Sequence, residues 1–255
     1  MSFQKIGFIG GGRICRIFLK AFERKGISLR EVYVYDTDSD VCNTLRKQFA
    51  NIKIADSIEE VATSDLIILA IHPPVVMENL DKIKPFIKNN SIILSLTPKI
   101  TIEAIKKRLG GFGRIARCNP NATSIINEGY NPVCFLSDLS YSDRENLLDF
   151  LRPLGKCPEV EEKKLEAYAV VSAMTPTYLW FIWDELYNIS ISFGLSEDET
   201  REVLRNVIPA SVDVYLDYKM DAYNLIPARP LMDKEEEIRN IFRTYLTRVF
   251  DKLKN

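Results

Sequence analysis

Metal-binding and disulfide chemistry have little to work with in this sequence. It holds one histidine, His72, so a transition-metal site would have to be assembled from scattered thiols and carboxylates, and no metal is expected. The five cysteines (Cys15, Cys42, Cys118, Cys134, Cys157) are odd in number, widely spaced and free of any Cys-x-x-Cys pair. That pattern speaks against a disulfide framework and for reduced thiols. Long hydrophobic runs are missing too: Leu66 to Ile71 falls far short of the ~20 residues of a bilayer span. Met1-Ser2-Phe3-Gln4-Lys5 leads into a strand-like segment without the apolar stretch and cleavage site of a secretory signal, so the expected compartment is the cytoplasm. Nor is there an excess of charge. Lys plus Arg number 34 against 35 Asp plus Glu, a net charge of −1, which leaves no global field to attract nucleic acid or anionic lipid. With 46% hydrophobic and 27% charged residues the composition is that of a compact globular protein with a small-molecule partner.

What is present is an alternation. β-rich runs at Ile6 to Ile9, Val32 to Tyr35, Leu66 to Ile71 and Ile92 to Leu96 are separated by helical patterns that reach Arg24 and Phe49. Strand, helix, strand at this spacing means right-handed crossovers and a parallel sheet. Leu66 to Ile71 and Ile92 to Leu94 are apolar on both faces, as central strands covered by helices on both sides must be. A helix over Thr101 to Leu109, strands over Arg114 to Cys118 and Val133 to Leu136, and a helix from about Ser142 complete the pattern. After a short strand around Val160 the β signal ends. Lys163 to Phe193, Glu197 to Tyr218 and Lys234 to Lys252 read as helices, with Gly194 as a stop and Ser196-Glu197-Asp198-Glu199 as a capping box. The fold class expected is α/β: an N-terminal Rossmann domain with a parallel sheet over 1–158, followed by an all-α dimerisation and substrate domain over 159–255. The many large apolar residues of the helical part favour a homodimer or higher homo-oligomer.

Gly7-Phe8-Ile9-Gly10-Gly11-Gly12-Arg13-Ile14-Cys15 follows the first strand and opens the first helix. Gly10 suits the tight turn, Gly12 lets the backbone approach a pyrophosphate, and Cys15 holds the third, small position of a dinucleotide fingerprint. Arg13 is placed to reach a phosphate or to lie in solvent. Asp36 stands 24 residues after Gly12 at the end of the second strand. There a carboxylate accepts from ribose hydroxyls and favours NAD over NADP, unless it only caps the turn that follows. Beyond the carboxyl ends of later strands come Ile71-His72-Pro73-Pro74, Thr97-Pro98-Lys99 and Asn119-Pro120-Asn121. His72 reads as a proton donor or nicotinamide-ribose ligand, or else as an ordinary strand-end histidine. Asn121 reads as a ligand of the nicotinamide carboxamide or as a helix N-cap.

These motifs resemble the pyrroline-5-carboxylate reductase family along the whole chain. The family's Gly-Phe-Ile-Gly-x-Gly matches Gly7 to Gly12, and Arg117, Pro120, Asn121, Glu128 and Gly129 match its Arg-x-Met-Pro-Asn…Glu-Gly segment, with Asn119 in place of Met. His72-Pro73 stands where the family has Lys-Pro. The stretch from Leu154 to Lys164 is similar to the family's link into its dimerisation domain. Its Ser-Gly-Ser-Gly-Pro-Ala-Tyr becomes Ser172-Ala173-Met174-Thr175-Pro176-Thr177-Tyr178, and its carboxylate-binding Ser-Pro-Gly-Gly-Thr-Thr turn has no counterpart; Asn224 to Pro230 stands near that place. The resemblance implies an NAD(P)H-dependent reductase transferring hydride to the C=N of 1-pyrroline-5-carboxylate or an analogue. It also implies a cofactor site of Gly10, Gly12, Arg13, Ile14, Asp36, Ile71, His72, Pro73 and Asn121. His72, Thr175 and Tyr178 would be the catalytic residues, and Asn121, Thr175 and Arg229 the substrate contacts, Arg229 gripping a carboxylate or lying on the surface. The alternatives are an oxidoreductase on another small imino or keto acid and a non-catalytic NAD-binding sensor dimer.

Overall fold

The computed structural model describes residues 3–219, 224–225 and 231–254. In chain order the elements are β1 (Lys5–Ile9), α1 (Arg13–Arg24), β2 (Glu31–Tyr35), α2 (Ser39–Gln48), β3 (Ile52–Ile54), α3 (Ile58–Ala62), β4 (Leu66–Leu69), α4 (Pro73–Ile83), β5 (Ile92–Ser95) and α5 (Ile102–Arg108). They continue with β6 (Ile115–Cys118), β7 (Gly129–Tyr130), β8 (Val133–Phe135), α6 (Tyr141–Leu151), β9 (Gly155–Lys156), α7 (Leu165–Tyr168), α8 (Thr175–Ser192), α9 (Glu197–Tyr218) and α10 (Glu235–Lys254).

Seven strands form one sheet in the order β3-β2-β1-β4-β5-β6-β8. The expected α/β class holds, with one refinement. β8 runs antiparallel to β6, Arg117 opposite Cys134, whereas every other pair is parallel. The segment between β6 and β8 carries no α-helix to make a crossover; it folds into a single 3₁₀ turn (Ala122–Ile126) and β7, which pairs with β9 in a separate two-stranded ribbon. Apolar cores fill both faces. On one, Phe8, Phe18, Phe22 and Phe150 from β1, α1 and α6 pack together, the Phe22 and Phe150 rings 5.1 Å apart. On the other, Val61, Val76, Leu80 and Ile105 from α3, α4 and α5 cover Ile67, Leu69 and Ile93. Strands buried on both faces explain the unbroken apolar runs of β4 and β5.

Asp65 anchors the middle of this sheet. Its Oδ2 accepts the N–H groups of Gln4 and Lys5, both at 3.0 Å, beside the β1–β4 pairing. Burial works against its charge, but the bonds from Lys5, Gln4 and Lys88 outweigh that and hold the carboxyl below its ordinary value. A depressed folded pKa stabilises above the unfolded value of about 3.9 and is lost as pH falls through the folded one. Asp65→Ala is therefore expected to cost about 1–3 kcal/mol at pH 7. In urea unfolding the difference from the unsubstituted protein should shrink as pH falls below the unfolded value; a cost that does not change with pH overturns the account.

The chain divides into two compact units, Met1–Met174 with Phe250–Asn255, and Thr175–Val249. The β signal ends near 158, whereas packing carries 159–174 into the first unit because Leu165, Ala169 and Val170 are buried there. The single helix expected over Lys163 to Phe193 is not continuous. A 3₁₀ turn and α7 lead into a π-helical turn, Ala169–Ala173, before α8 starts at Thr175 with Pro176 in its first turn. Proline has no N–H to bond back into the preceding turn, and the break falls at that point. In the second unit the Ser196–Glu199 capping box is present and opens α9. The Tyr178 and Tyr245 rings of α8 and α10 meet edge to face with centroids 6.1 Å apart. Among the described residues no helix is long and apolar enough to cross a membrane.

Candidate functional site

Strand order reverses between β1 and β4, and in open α/β sheets a crevice for ligands opens beyond the carboxyl ends of the strands at such a switch. The Gly10-Gly11-Gly12 turn stands there, and its three glycines have different reasons to be glycine. Gly10 has φ +102°, donates its N–H to Tyr35 O at 2.8 Å, and would bring a Cβ within 2.4 Å of Ala70 O. Gly11 fits between strand and helix: a Cβ would lie 2.6 Å from Leu45 Cδ1. Gly12 is unlike either. Its φ is −67°, which any residue adopts, and a Cβ there would meet nothing within 4 Å. It is the N-cap of α1, with no side chain capping the helix and no acidic residue in the first turn. Unpaired amides, a positive helix end and space directly in front of both make a cradle that fits a pyrophosphate.

Asp36 follows β2 and is half-buried. Its Oδ2 accepts the Gly11 N–H at 2.7 Å and its Oδ1 the Asp38 N–H at 2.9 Å. Each oxygen of a carboxylate has a second acceptor position, so both stay available to ribose hydroxyls. Gly11 was not singled out from the sequence; the GlyGlyGly spelling hides which glycine is needed for packing. Arg13 is exposed at the start of α1, while Ile14, Ile71 and Pro73 are half-buried beside the turn or at the head of α4. His72 is exposed and is the N-cap of α4, its side chain making no capping bond. The Thr97 hydroxyl donates to Ile71 O at 2.9 Å and ties the loop after β5 to this edge.

Asn121 is the N-cap of the 3₁₀ turn Ala122–Ile126. Its Oδ1 accepts from Thr123 N at 3.1 Å and from Thr123 Oγ1 at 2.7 Å, and its Nδ2 donates to Ser172 O at 3.4 Å. Ser172 in turn donates to Tyr130 O at 2.7 Å, so the π-helical turn is pinned to this loop. Thr175 and Tyr178 lie in the first turn of α8, in the second unit. The Tyr178 hydroxyl is shielded and has no hydrogen-bond partner among the described residues, and burial, with the nearby Tyr245, pushes its pKa up. Arg229 lies outside the described residues.

A network that the sequence did not disclose sits beneath the same edge. Arg117 on β6, only 2% exposed, pairs with Glu162 at 2.8 Å and Glu166 at 2.9 Å. Those carboxylates also accept the N–H of Ile102 at 2.7 Å and of Lys99 at 3.4 Å. All five cysteines are free thiols, and burial raises every one, Cys134 to about 12 and Cys157 to about 11, which favours the protonated form at neutral pH. Among the described residues no group of three or more His, Cys, Asp or Glu is placed to hold a metal ion.

This fold and edge define an α/β protein of the dinucleotide-binding type. A family model described as NADP oxidoreductase coenzyme F420-dependent matches residues 5–99. The pyrroline-5-carboxylate reductase of Escherichia coli (strain K12) is 24% identical over 216 residues, 84% of this chain and 80% of that protein. Pyrroline-5-carboxylate reductase 2 of Bacillus subtilis (strain 168) is 24% identical over 215 residues, 84% of this chain and 77% of that one. Among solved structures, Plasmodium falciparum pyrroline carboxylate reductase with NADP bound shares the fold with a TM-score of 0.78 and 19% identity, covering 98% of this chain and 95% of that one. The resemblance read from the sequence holds: the chain is similar to pyrroline-5-carboxylate reductases over most of its length and shares their fold.

Proposed function

We propose that this protein is a reductase that binds NAD or NADP at the β1/β4 edge and reduces the C=N bond of a cyclic imino acid, 1-pyrroline-5-carboxylate or an analogue, to proline or its analogue. The observation that carries this reading is Gly12, a glycine with neither a conformational nor a packing reason of its own, in front of the uncapped amides of α1. Likeness to the pyrroline-5-carboxylate reductases supports the substrate class. A reduced nicotinamide supplies the hydride when bound. A protonated imine is already electrophilic, so the protein's part is proximity and orientation. In this reading Arg13, Ile14, Ile71 and Pro73 flank the dinucleotide and Asp36 takes the ribose. His72 serves the nicotinamide end as proton donor or ribose ligand, and Asn121 contacts the nicotinamide carboxamide and the substrate. Thr175, Tyr178 and Arg229 serve the substrate.

Residues 1–158 then form the dinucleotide-binding part and 159–255 the substrate and dimerisation part. A second copy of the chain is the proposed cover for the helical unit, where Phe181 is 66% and Phe193 83% exposed. Five free thiols suit the cytoplasm.

The test is oxidation of NADH and NADPH by the full chain with 1-pyrroline-5-carboxylate, beside a panel of other imino and keto acids. Turnover with the pyrroline is the expected result, with Tyr178→Phe lowering kcat about 10-fold or more if its hydroxyl helps place the proton. Turnover confined to another acid moves the chain to a related oxidoreductase. Dinucleotide binding without any turnover overturns the enzyme reading and leaves a sensor.

A further inference from the structure

Resting on the dinucleotide reading above, we infer that this site is built for NADH and rejects NADPH, and that Asp36 and Asp38 set the choice. The two cofactors differ by one phosphate on the adenosine ribose, a diol in NADH and a dianionic ester in NADPH, so whatever stands after β2 decides between them. Here it is a carboxylate held in place. Two backbone amides, Gly11 N–H and Asp38 N–H, each bind one oxygen of Asp36, which cannot swing aside without breaking both bonds. The acceptor positions left on those oxygens match the two hydroxyl donors of a diol; a phosphate brings acceptors and negative charge to the same place.

A 2′-phosphate finds no cation in the segment that follows β2. The amides at the N-terminus of α2 would be the natural receptor, but Asp38 already fills it, its Oδ1 accepting from Asp40 N at 2.8 Å and Val41 N at 3.3 Å. From Val32 to Leu45 there is no lysine or arginine, while Asp36, Asp38 and Asp40 place three carboxylates within five residues. Arg46, the next cation, lies in the last turn of α2 and donates to Asn43 Oδ1. Arg13 is at the start of α1, on the pyrophosphate side of the turn. The negative field is felt on both neighbouring helices: burial chiefly, and then the charge of Asp36, raises the thiols of Cys15 on α1 and Cys42 on α2. The NADP-bound relative from Plasmodium falciparum shares this fold, so the preference lies in these residues and not in the architecture.

The experiment is calorimetric titration of the full chain with NADH and with NADPH at one fixed ionic strength. The expected Kd for NADPH is at least about 100-fold higher than for NADH. In Asp36→Asn/Asp38→Asn, and to a smaller extent in Asp38→Asn alone, which keeps the helix cap, the ratio should fall below about 10-fold. NADPH binding as tightly as NADH overturns the inference and leaves the dinucleotide reading standing. Failure of both nucleotides to bind overturns that reading and the inference with it. An unchanged ratio in a folded Asp38→Asn and in the double variant removes the assignment to these two residues; if the double variant does not fold, the single variant and the unsubstituted protein decide.

Discussion

Gly12→Ala is expected to leave the protein as stable as before, or slightly more so, and to weaken dinucleotide binding about 100-fold. The backbone at Gly12, φ −67°, suits alanine, and the added methyl meets nothing within 4 Å. Substitutions of this kind stabilise by about 0.4–1 kcal/mol through the unfolded chain. The methyl would stand, however, in front of the α1 amides, where each lost charge-assisted bond to a phosphate costs about 1.5–3 kcal/mol. Gly10→Ala is the contrast. At φ +102° and with a Cβ 2.4 Å from Ala70 O it should lose about 2–4 kcal/mol of stability in its own right. Thermal unfolding and nucleotide titration of the two variants separate a structural glycine from a ligand-facing one. A Gly12→Ala protein that binds NADH normally would remove the phosphate from the position assigned to it.

The glycine turn, its strand and helix, and Asp36 could be placed from the sequence because the pattern is local and each residue type answers a backbone requirement. The direction of β8 could not: a run such as Val133-Cys134-Phe135 carries period and hydrophobicity but no polarity relative to its neighbour. Lys163 to Phe193 looks like one helix because its composition is helical throughout; the interruption comes from Pro176 acting on the turn before it. The partners of Asn121, Thr123 and Ser172, could not be read from the sequence, because the second of them is 51 residues away. Arg117 was visible only as a motif residue. Its carboxylates are 45 and 49 residues further on, and no periodicity links them.

That pairing supports the other large expected effect. Arg117→Met should destabilise the first unit by about 3–5 kcal/mol, seen as a lower urea midpoint with an unchanged slope. Burial opposes the charge on Arg117, but the bonds to Glu162 and Glu166 outweigh it and hold its pKa above the ordinary value. Removing the cation leaves two carboxylates facing one another across an apolar side chain. Those same carboxylates hold Ile102 N–H and Lys99 N–H, and Lys99 sits at φ 71°, a conformation its neighbours must maintain. The damage should therefore reach the loop after β5 as well as the global midpoint. Arg117→Met/Glu162→Gln/Glu166→Gln removes the repulsion and should recover much of the loss, because a buried ion pair is costly to break and cheap to replace as a whole. Since Arg117 is almost fully shielded, 1 M salt should change the penalty little, whereas exposed pairs such as Lys20–Glu23 are screened. A loss below about 1 kcal/mol in the single variant, or strong salt dependence, would mean that the network is no more than a surface contact.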